Sequence, residues 1–567
     1  MTTGHAGIPP EIPERAISPP SVVPTPLAWR RAAEWSARFD ADPSLGRAPL
    51  DHDFVNRPLT ESWARLAEAS PDRLAVRDAR MSLTRRQLVD LTRRIAGAIA
   101  RTEAAAGPVA LLLPDGACYA AALAAGLIAG RIMLLLDDGN PPARNAEIIR
   151  DARASLIIVE RTDDPIATVI RDLPVLAIGD GRTLAEAGDR LDASRIGLDD
   201  PAFIVTTSGS TGRPKLVLHS HRGMAYRAQQ FSASMGLTAE DRLLSTTSAI
   251  GTYAGINYLF ASAYAGAEVH VATIRQIGIR GVFELMRQQR ITALRSPPSL
   301  LRTLAPLAGA DEAFAHVRAI RLAGDQATWD DIAALRRVTP PGCRITNSYG
   351  ATETVSFNWV APAEPRSDAI RIPAGVPFAE AEAVVANPDG NPVEPGQEGE
   401  LFVRSRFAAL GEIVDGTPQA GRLIPDPDDP TRRIYATGDL ATQTPDVLLV
   451  LIGRRDRMLS INGRRVEPIE VEAAIRATGA VGEVAVLPRA TGDMVTLVAF
   501  VTPRDPAPGD TPPRETSSPD TIARGLRADL RQQLPAYMVP TRIVVLAELP
   551  RLPGGKVDGV SLLAGLG

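Results

Sequence analysis

Cysteine, histidine and aromatic side chains are scarce in this 567-residue chain, and each scarcity closes off a class of function. The two cysteines, Cys118 and Cys343, are too few and too far apart for a disulfide-stapled secreted scaffold or a thiolate metal cluster. Of the six histidines only His219 and His221 are close neighbours. A lone pair falls short of the ligand set that zinc takes, so they read as packing or hydrogen-bonding residues and not as a zinc site. Neither charge sign is in excess: 62 Lys and Arg face 66 Asp and Glu, a net charge of −4, which argues against a dedicated nucleic-acid binder. No stretch has the roughly 20 strongly apolar residues that a membrane span needs. The nearest, residues 117–136, is rich in Ala and Gly, is interrupted by Arg131 and divides at Gly130 into a helix and a short strand of buried core. Residues 1–28 lack the apolar core of a secretory signal and carry seven prolines, so a disordered leader and a cytoplasmic location are expected.

What is present is ordinary globular material, 45% hydrophobic and 23% charged, enough for two to four domains. Leu88, Leu91, Ile95 and Ile99 share one helical face within residues 84–101, and Thr84 with Gln87 has the spacing of a capping box. Short, uniformly apolar strands follow at 109–113, 132–136, 156–159 and 175–178, with a helix at 117–129. Apolar strands separated by helices indicate a parallel sheet covered on both faces. The Pro- and Asp-rich stretch 424–431 reads as a surface loop. Residues 503–520, with six prolines, read as an excursion between a strand at 495–501 and a helix at 521–534. The expected fold is therefore α/β: a large N-terminal domain over residues 29–455, with parallel-rich sheets covered by helices, then a small α+β C-terminal domain over 456–567.

The most specific segment is residues 204–217, IVTTSGSTGRPKLV. A strand runs into Thr207, Ser208, Gly209, Ser210, Thr211 and Gly212, and Lys215 follows. Small hydroxyl and glycine residues let backbone N–H groups approach phosphate oxygens, and a lysine adds a point charge. The spacing is not that of a Walker A loop. A flexible Ser/Gly connection between strands is the plain alternative. The segment resembles the phosphate loop of the adenylate-forming superfamily, which contains acyl-CoA synthetases, luciferases and the adenylation domains of nonribosomal peptide synthetases. Further segments carry the resemblance in order: NSYGATE at 347–353, YATGD at 435–439, GRRD at 453–456 with NGRRVEP at 462–468, and LPAYMVP at 534–540 with LPRLPGGKVD at 549–558. It covers most of the chain, and LPAYMVP is closest in style to peptide-synthetase adenylation domains. Leu216 stands where the family usually has glycine, which predicts a stiffer loop, and Gly559 where a basic residue is usual.

The resemblance implies ATP and Mg²⁺ as cofactors and assigns roles. Residues 207–215 hold the β- and γ-phosphates, Thr352 contacts the α-phosphate, and Glu353 binds magnesium, a hard cation that suits a carboxylate. Tyr349 stacks on adenine and Asn347 reads its edge. Asp439 accepts from the ribose hydroxyls, with Arg454 nearby. Lys556 bridges the substrate carboxylate and the α-phosphate. Asp456 is the hinge of a mobile C-terminal domain, and Gly463 lines a thiol channel. Taken singly, Tyr349 could be a core aromatic, and Asp439 and Lys556 could be turn residues; the joint spacing favours the site roles.

Amino-acid-activating relatives place an aspartate about thirteen residues before a Gly-Ala pair. Counting back from Gly266-Ala267 reaches Tyr253, flanked by Thr252 and Ala254, so the ammonium-binding carboxylate is missing. The same matching puts Asn257, Arg295, Ala323, Ser348, Ser356 and Phe357 on the pocket wall, with Arg321 near it. A substrate other than a standard α-amino acid, with a second acidic or strongly polar group, is expected to meet Arg295. The alternative is that Arg295 turns outward or pairs with a protein carboxylate. No carrier domain follows Lys556 in the sequence, so the acceptor is expected to be external: a free-standing carrier protein or coenzyme A. An amine acceptor, giving an amide or N–N bond, is the second reading. A non-catalytic nucleotide-binding protein is the third, and the intact Lys215, Glu353, Asp439 and Lys556 argue against it.

Overall fold

A computed structural model of the chain describes residues 23–40, 47–102, 104–181, 184, 196–207, 214–245, 253–272, 274–324, 327–363, 371–444, 446, 448–455, 459–461, 464–466, 468–491, 494–504, 518–534, 538–552 and 557–566. The chain divides into two compact units. One contains the residues up to Thr437 together with Gln443–Val450, and the other contains Gly438–Thr442 and Leu451–Gly567.

The larger unit contains two complete sheets and most of a third. In the first, eight strands run in the order Thr417–Gln419, Gly411–Val414, Lys215–Ser220, Pro201–Thr207, Met133–Leu135, Val109–Leu112, Leu156–Val159, Val175–Ala177. The five from Pro201–Thr207 onward are parallel; the apolar side chains of the inner strands are almost wholly enclosed, as uniformly hydrophobic runs require, while Val175 on the edge strand is exposed. The two next to them, Lys215–Ser220 and Gly411–Val414, are added antiparallel. Helix Ala117–Ile128 is buried on nearly every residue, so the apolar stretch is core. Helix Arg85–Arg101 opens with the expected capping box, Thr84 and Gln87 each bonding the other's backbone N–H, and buries Leu88, Leu91, Ile95 and Ile99.

The second sheet has nine strands, parallel through its centre. Leu74–Arg77, Glu268–Val271, Arg242–Ser245, Ala293–Ser296, Ala319–Ala323 and Arg344–Tyr349 lie side by side, with antiparallel strands at both ends. The third combines Ala381–Ala386, Gly399–Ser405, Arg433–Gln443, Leu423–Pro425 and Leu449–Arg454. The 424–431 stretch therefore begins inside a strand: Ile424 pairs with Ile434, and Asp426 is buried. A helix also opens at Pro26, earlier than a leader ending at residue 28 allows. Ala28, Trp29 and Ala32 pack on Val384, Phe402 and Ile434, and two prolines upstream had masked that apolar face.

In the smaller unit, antiparallel strands Val481–Thr491 and Met494–Pro503 are joined by Arg542–Val545, parallel to the second of them. Val471 and Ile475 of helix Pro468–Ala477 and Leu526 and Leu530 of helix Pro519–Gln533 form a core with Val486, Leu497 and Val501. Among the described residues no helix is long and apolar enough to cross a membrane.

Candidate active site

Strand Pro201–Thr207 turns back into Lys215–Ser220 with Thr207 opposite Lys215, so the connecting segment opens from the end of a buried antiparallel pair. Ser208, Gly209, Ser210, Thr211 and Gly212 in that segment lie outside the described residues. Leu216, at the unusual position, is 2% exposed and packs with Ile204 and Ile413; it serves the sheet. Lys215 Nζ lies 3.1 Å from Glu412 Oε1. Glu412 is carried in by the neighbouring strand Gly411–Val414, where it sits opposite Val217. Its side chain is 5% exposed while that of Lys215 is 33% exposed, so the pair is enclosed on its acidic side.

Glu353 completes this cluster. Burial pushes its carboxyl above the ordinary value; its own backbone N–H and the Lys215 charge pull it down, and the Glu412 charge pushes it up again. The Glu353 carbonyl accepts from the Ala409 N–H at 2.9 Å, which fixes the loop beside the strand that carries Glu412. Glu353 follows strand Arg344–Tyr349 and the tight Gly350, where an added Cβ would stand 2.6 Å from Ser356 Oγ. Within that strand Asn347 Nδ2 donates to the Pro373 carbonyl at 2.8 Å, and the ring of the half-buried Tyr349 lies 5.6 Å from that of Phe357. Thr352 is half-buried.

A second group surrounds Tyr253, the first residue of helix Tyr253–Ala265. Its ring stacks on the buried His219 at 5.3 Å, and its hydroxyl receives a hydrogen bond from Arg227 Nε. Asn257 Nδ2, one turn on, donates to the Tyr253 carbonyl at 2.7 Å. Desolvation holds His219 neutral, and Arg227 adds to that. Desolvation raises the Tyr253 phenol.

A third group lies on the nine-stranded sheet. Arg295 and Arg321 are register partners in adjacent parallel strands, as are Arg321 and Thr346, and Ala323 and Ser348. Arg321 is 3% exposed, donates to Ser234 Oγ and Ser348 Oγ, and stands over the rings of Phe231 and Phe378 at 4.5 and 5.6 Å. Its desolvation brings its pKa down to about 9, with the Arg295 charge adding to the fall. Arg295 stands 5.9 Å over the Tyr258 ring, and desolvation lowers its pKa too. Ser348 Oγ donates to the Phe357 carbonyl at 2.9 Å, Phe357 itself is wholly buried, and Ser356 is half-buried beside it. Arg295, Ala323 and Ser348 thus fall near the ends of three neighbouring parallel strands, Phe357 at the start of a fourth strand, Ser356 in the loop before it, and Tyr253 and Asn257 on the first turns of one helix.

In the smaller unit, Asp439 is 8% exposed, and the Gly438 carbonyl beside it accepts from the Arg455 N–H at 2.7 Å. Lys556, Asp456 and Gly463 lie outside the described residues, as do the side chains of Ala254 and Arg454. Two participants escaped the sequence reading. Glu412 lies 197 residues from Lys215, and no local spacing announces the pair. Arg227 had a weak signal, the second arginine of helix His221–Met235, set between Tyr226 and Ala228.

The family model for AMP-binding enzymes matches residues 63–411, more than half of the chain. The chain belongs to the AMP-binding enzyme family. The model for the C-terminal domain of AMP-binding enzymes matches residues 470–556. The resemblance read from the five motif regions therefore holds, and so does the α/β architecture. Among proteins similar to this AMP-binding enzyme, the isonitrile lipopeptide synthase of Streptomyces coeruleorubidus is 30% identical over 93% of this chain and 34% of its own length. The novobiocin biosynthesis protein H of Streptomyces niveus is 29% identical over 89% of this chain and 82% of its own. The chain spans less than half the length of the first curated relatives it matches. In fold it is similar to NpsA of Klebsiella oxytoca, solved in complex with 3-hydroxyanthranilyl-AMSN (TM-score 0.73, 23% identity, 90% of this chain and 99% of that one). It is similar as well to a benzoate CoA ligase from Burkholderia xenovorans (TM-score 0.73, 20% identity, 89% and 99%).

Proposed function

We propose that this AMP-binding enzyme activates a carboxylic acid with ATP. The acid's carboxylate oxygen attacks the α-phosphorus, the bond to the β-phosphate oxygen breaks, and the products are an acyl-adenylate and pyrophosphate. A thiol then attacks the acyl carbon and AMP leaves, the thiol proton going to solvent. The observation that carries the reading is the enclosed Lys215–Glu412 pair beside the buried Glu353, at the end of the strand that opens the Ser/Gly segment. Charge on a triphosphate and its pentavalent transition state must be met by preorganised groups, and a lysine backed by a buried acid is held in place for that.

The cluster also fits magnesium. Among the described residues no group of three or more His, Cys, Asp and Glu could hold a metal ion by itself. Magnesium is ordinarily held by one or two carboxylates plus substrate phosphates. Glu353, whose charge is desolvated, would gain from a cation arriving with the nucleotide; bound there, the ion would neutralise phosphate charge. In this reading Thr207, the 208–212 segment and Lys215 bind the outer phosphates, and Thr352 the α-phosphate. Asn347 and Tyr349 take the adenine, Asp439 and Arg454 the ribose. Lys556 bridges the attacking carboxylate and the α-phosphate, and Asp456 is the hinge at the start of a 456–567 lid domain.

The substrate is proposed to be other than a standard α-amino acid. Tyr253, a neutral phenol, stands where a cation-binding carboxylate would be needed. The desolvated guanidinium of Arg295, level with Arg321, favours an acid with a second anionic or strongly polar group. The acceptor is proposed to be the thiol of a carrier protein or of coenzyme A. ATP–pyrophosphate exchange over a panel of carboxylic acids tests the activation and the substrate class: exchange is expected with dicarboxylates or hydroxylated acids. Exchange with none of the panel refutes the activity, and a preference for neutral α-amino acids refutes the substrate class.

A further inference from the structure

Arg227 lies near the middle of helix His221–Met235 and is 3% exposed. A guanidinium removed from water is costly unless its donors are placed, and these are placed on neutral acceptors only. Nη1 donates to the Phe407 carbonyl at 2.8 Å and to the Gly223 carbonyl of its own helix at 3.0 Å. Nη2 donates to the Thr354 carbonyl at 3.0 Å, and Nε to the Tyr253 hydroxyl. Apart from Gly223, the acceptors sit on three separate segments: the start of helix Tyr253–Ala265, the residue after Glu353, and the loop that leads from strand Gly399–Ser405 toward Glu412.

Each of these segments carries a group of the site. Tyr253 stacks on His219; Thr354 follows Glu353; and Phe407 stands five residues before Glu412, with the Ala409-to-Glu353 bond between them. A flat fork that reaches all three holds them by direction and not by charge, since two of the three acceptors are backbone carbonyls. Losing it leaves buried carbonyls without donors in the two loops that present Glu353 and Glu412. We propose that Arg227 is the positioning residue of this site, locking the acid-pocket wall at Tyr253 to the nucleotide-facing loops at Glu353 and Glu412. The inference rests on the activity proposed above for what those loops present, and not for the lock itself.

The test compares wild type, Arg227→Gln and Arg227→Lys in the full chain. Hydrogen exchange reads the loops directly. In Arg227→Gln the amides of 351–356 and 405–412 should exchange at least about tenfold faster, with the rest of the larger unit unchanged. Pyrophosphate exchange, with the acid wild type uses best, should fall on the order of a hundredfold in kcat, the scale of a small misplacement remote from the chemistry. Arg227→Lys keeps a donor for the Phe407 or Thr354 carbonyl and should regain about tenfold. Unchanged loop protection, or loss of protection spread evenly over the unit with no rescue by lysine, overturns the proposal. If wild type exchanges pyrophosphate with no acid, the activity reading falls, and the hydrogen-exchange result alone decides for or against the lock.

Discussion

Replacing Lys215 with alanine perturbs an unevenly buried ion pair, and the asymmetry sets the magnitude. Removing one partner of a fully buried pair costs about 3–5 kcal/mol, because the charge left behind is uncompensated. Here the abandoned charge is Glu412, 5% exposed, while the lysine that leaves is 33% exposed, so water can partly replace it. We expect a loss of about 2 kcal/mol in the unfolding of the larger unit, read from its midpoint in urea at constant slope. The reverse substitution, Glu412→Gln, leaves a lysine that can turn to solvent and should cost under about 1 kcal/mol, in the range of exposed pairs. The double variant should recover at least half of the Lys215→Ala loss.

The pH dependence has a definite sign. Lys215 is one of the influences that lower the Glu353 carboxyl, so its removal raises that group further above its ordinary 4.5. A carboxyl with a raised folded-state pKa contributes stability that is present below the unfolded value and is lost as pH rises through the folded one. The destabilisation of Lys215→Ala should therefore shrink on acidification toward pH 4.5 and grow toward neutrality. Equal stabilities for Lys215→Ala and the double variant, or a pH-independent loss, would refute the reasoning.

Four further outcomes are expected. His221, buried and held neutral with a pKa of about 4 against 6.5 when unfolded, takes up a proton on unfolding. Stability should fall as pH drops from 6.5 to 4 by up to about 3 kcal/mol, and His221→Gln should flatten that part of a urea-midpoint profile. Arg295→Ala should depress pyrophosphate exchange with a dicarboxylate far more than with its monocarboxylate analogue; equal losses would remove Arg295 from the pocket. Lys556→Ala should cut adenylate formation on the order of a hundredfold, as for one lost transition-state donor, yet spare transfer from a supplied acyl-adenylate to a thiol. Asp456→Pro fixes φ near −65° and should impair one half-reaction in rapid-quench measurements while sparing the other.

Much of the fold was legible because it is written in local patterns. Uniformly apolar runs such as 109–113 and 156–159 became buried parallel strands, and the Thr84–Gln87 spacing became a capping box, since both signals depend on residues a few positions apart. Helix Pro26–Asp40 was hidden by proline. Proline is tolerated in a helix's first turn, where its missing N–H is not needed, so Pro26 starts the helix despite the prolines before it. Conversely, the polar letters of 424–431 concealed a strand residue whose partner, Ile434, lies ten positions on.

The candidate site divides along the same line. Motif order singled out Lys215, Asn347, Tyr349, Glu353 and Asp439 as candidates, because each motif is spelled contiguously in the sequence. The partners that set those groups' electrostatics are not contiguous with them. Glu412 meets Lys215 from a strand added antiparallel to its own, and Arg227 reaches loops 127 and 180 residues away. Such partners are chosen by sheet order and helix packing, so a spacing rule cannot find them. A physical rule can: a charged residue embedded in a small, apolar stretch must be answered somewhere in the fold, and the segments that answer it are the segments it holds together.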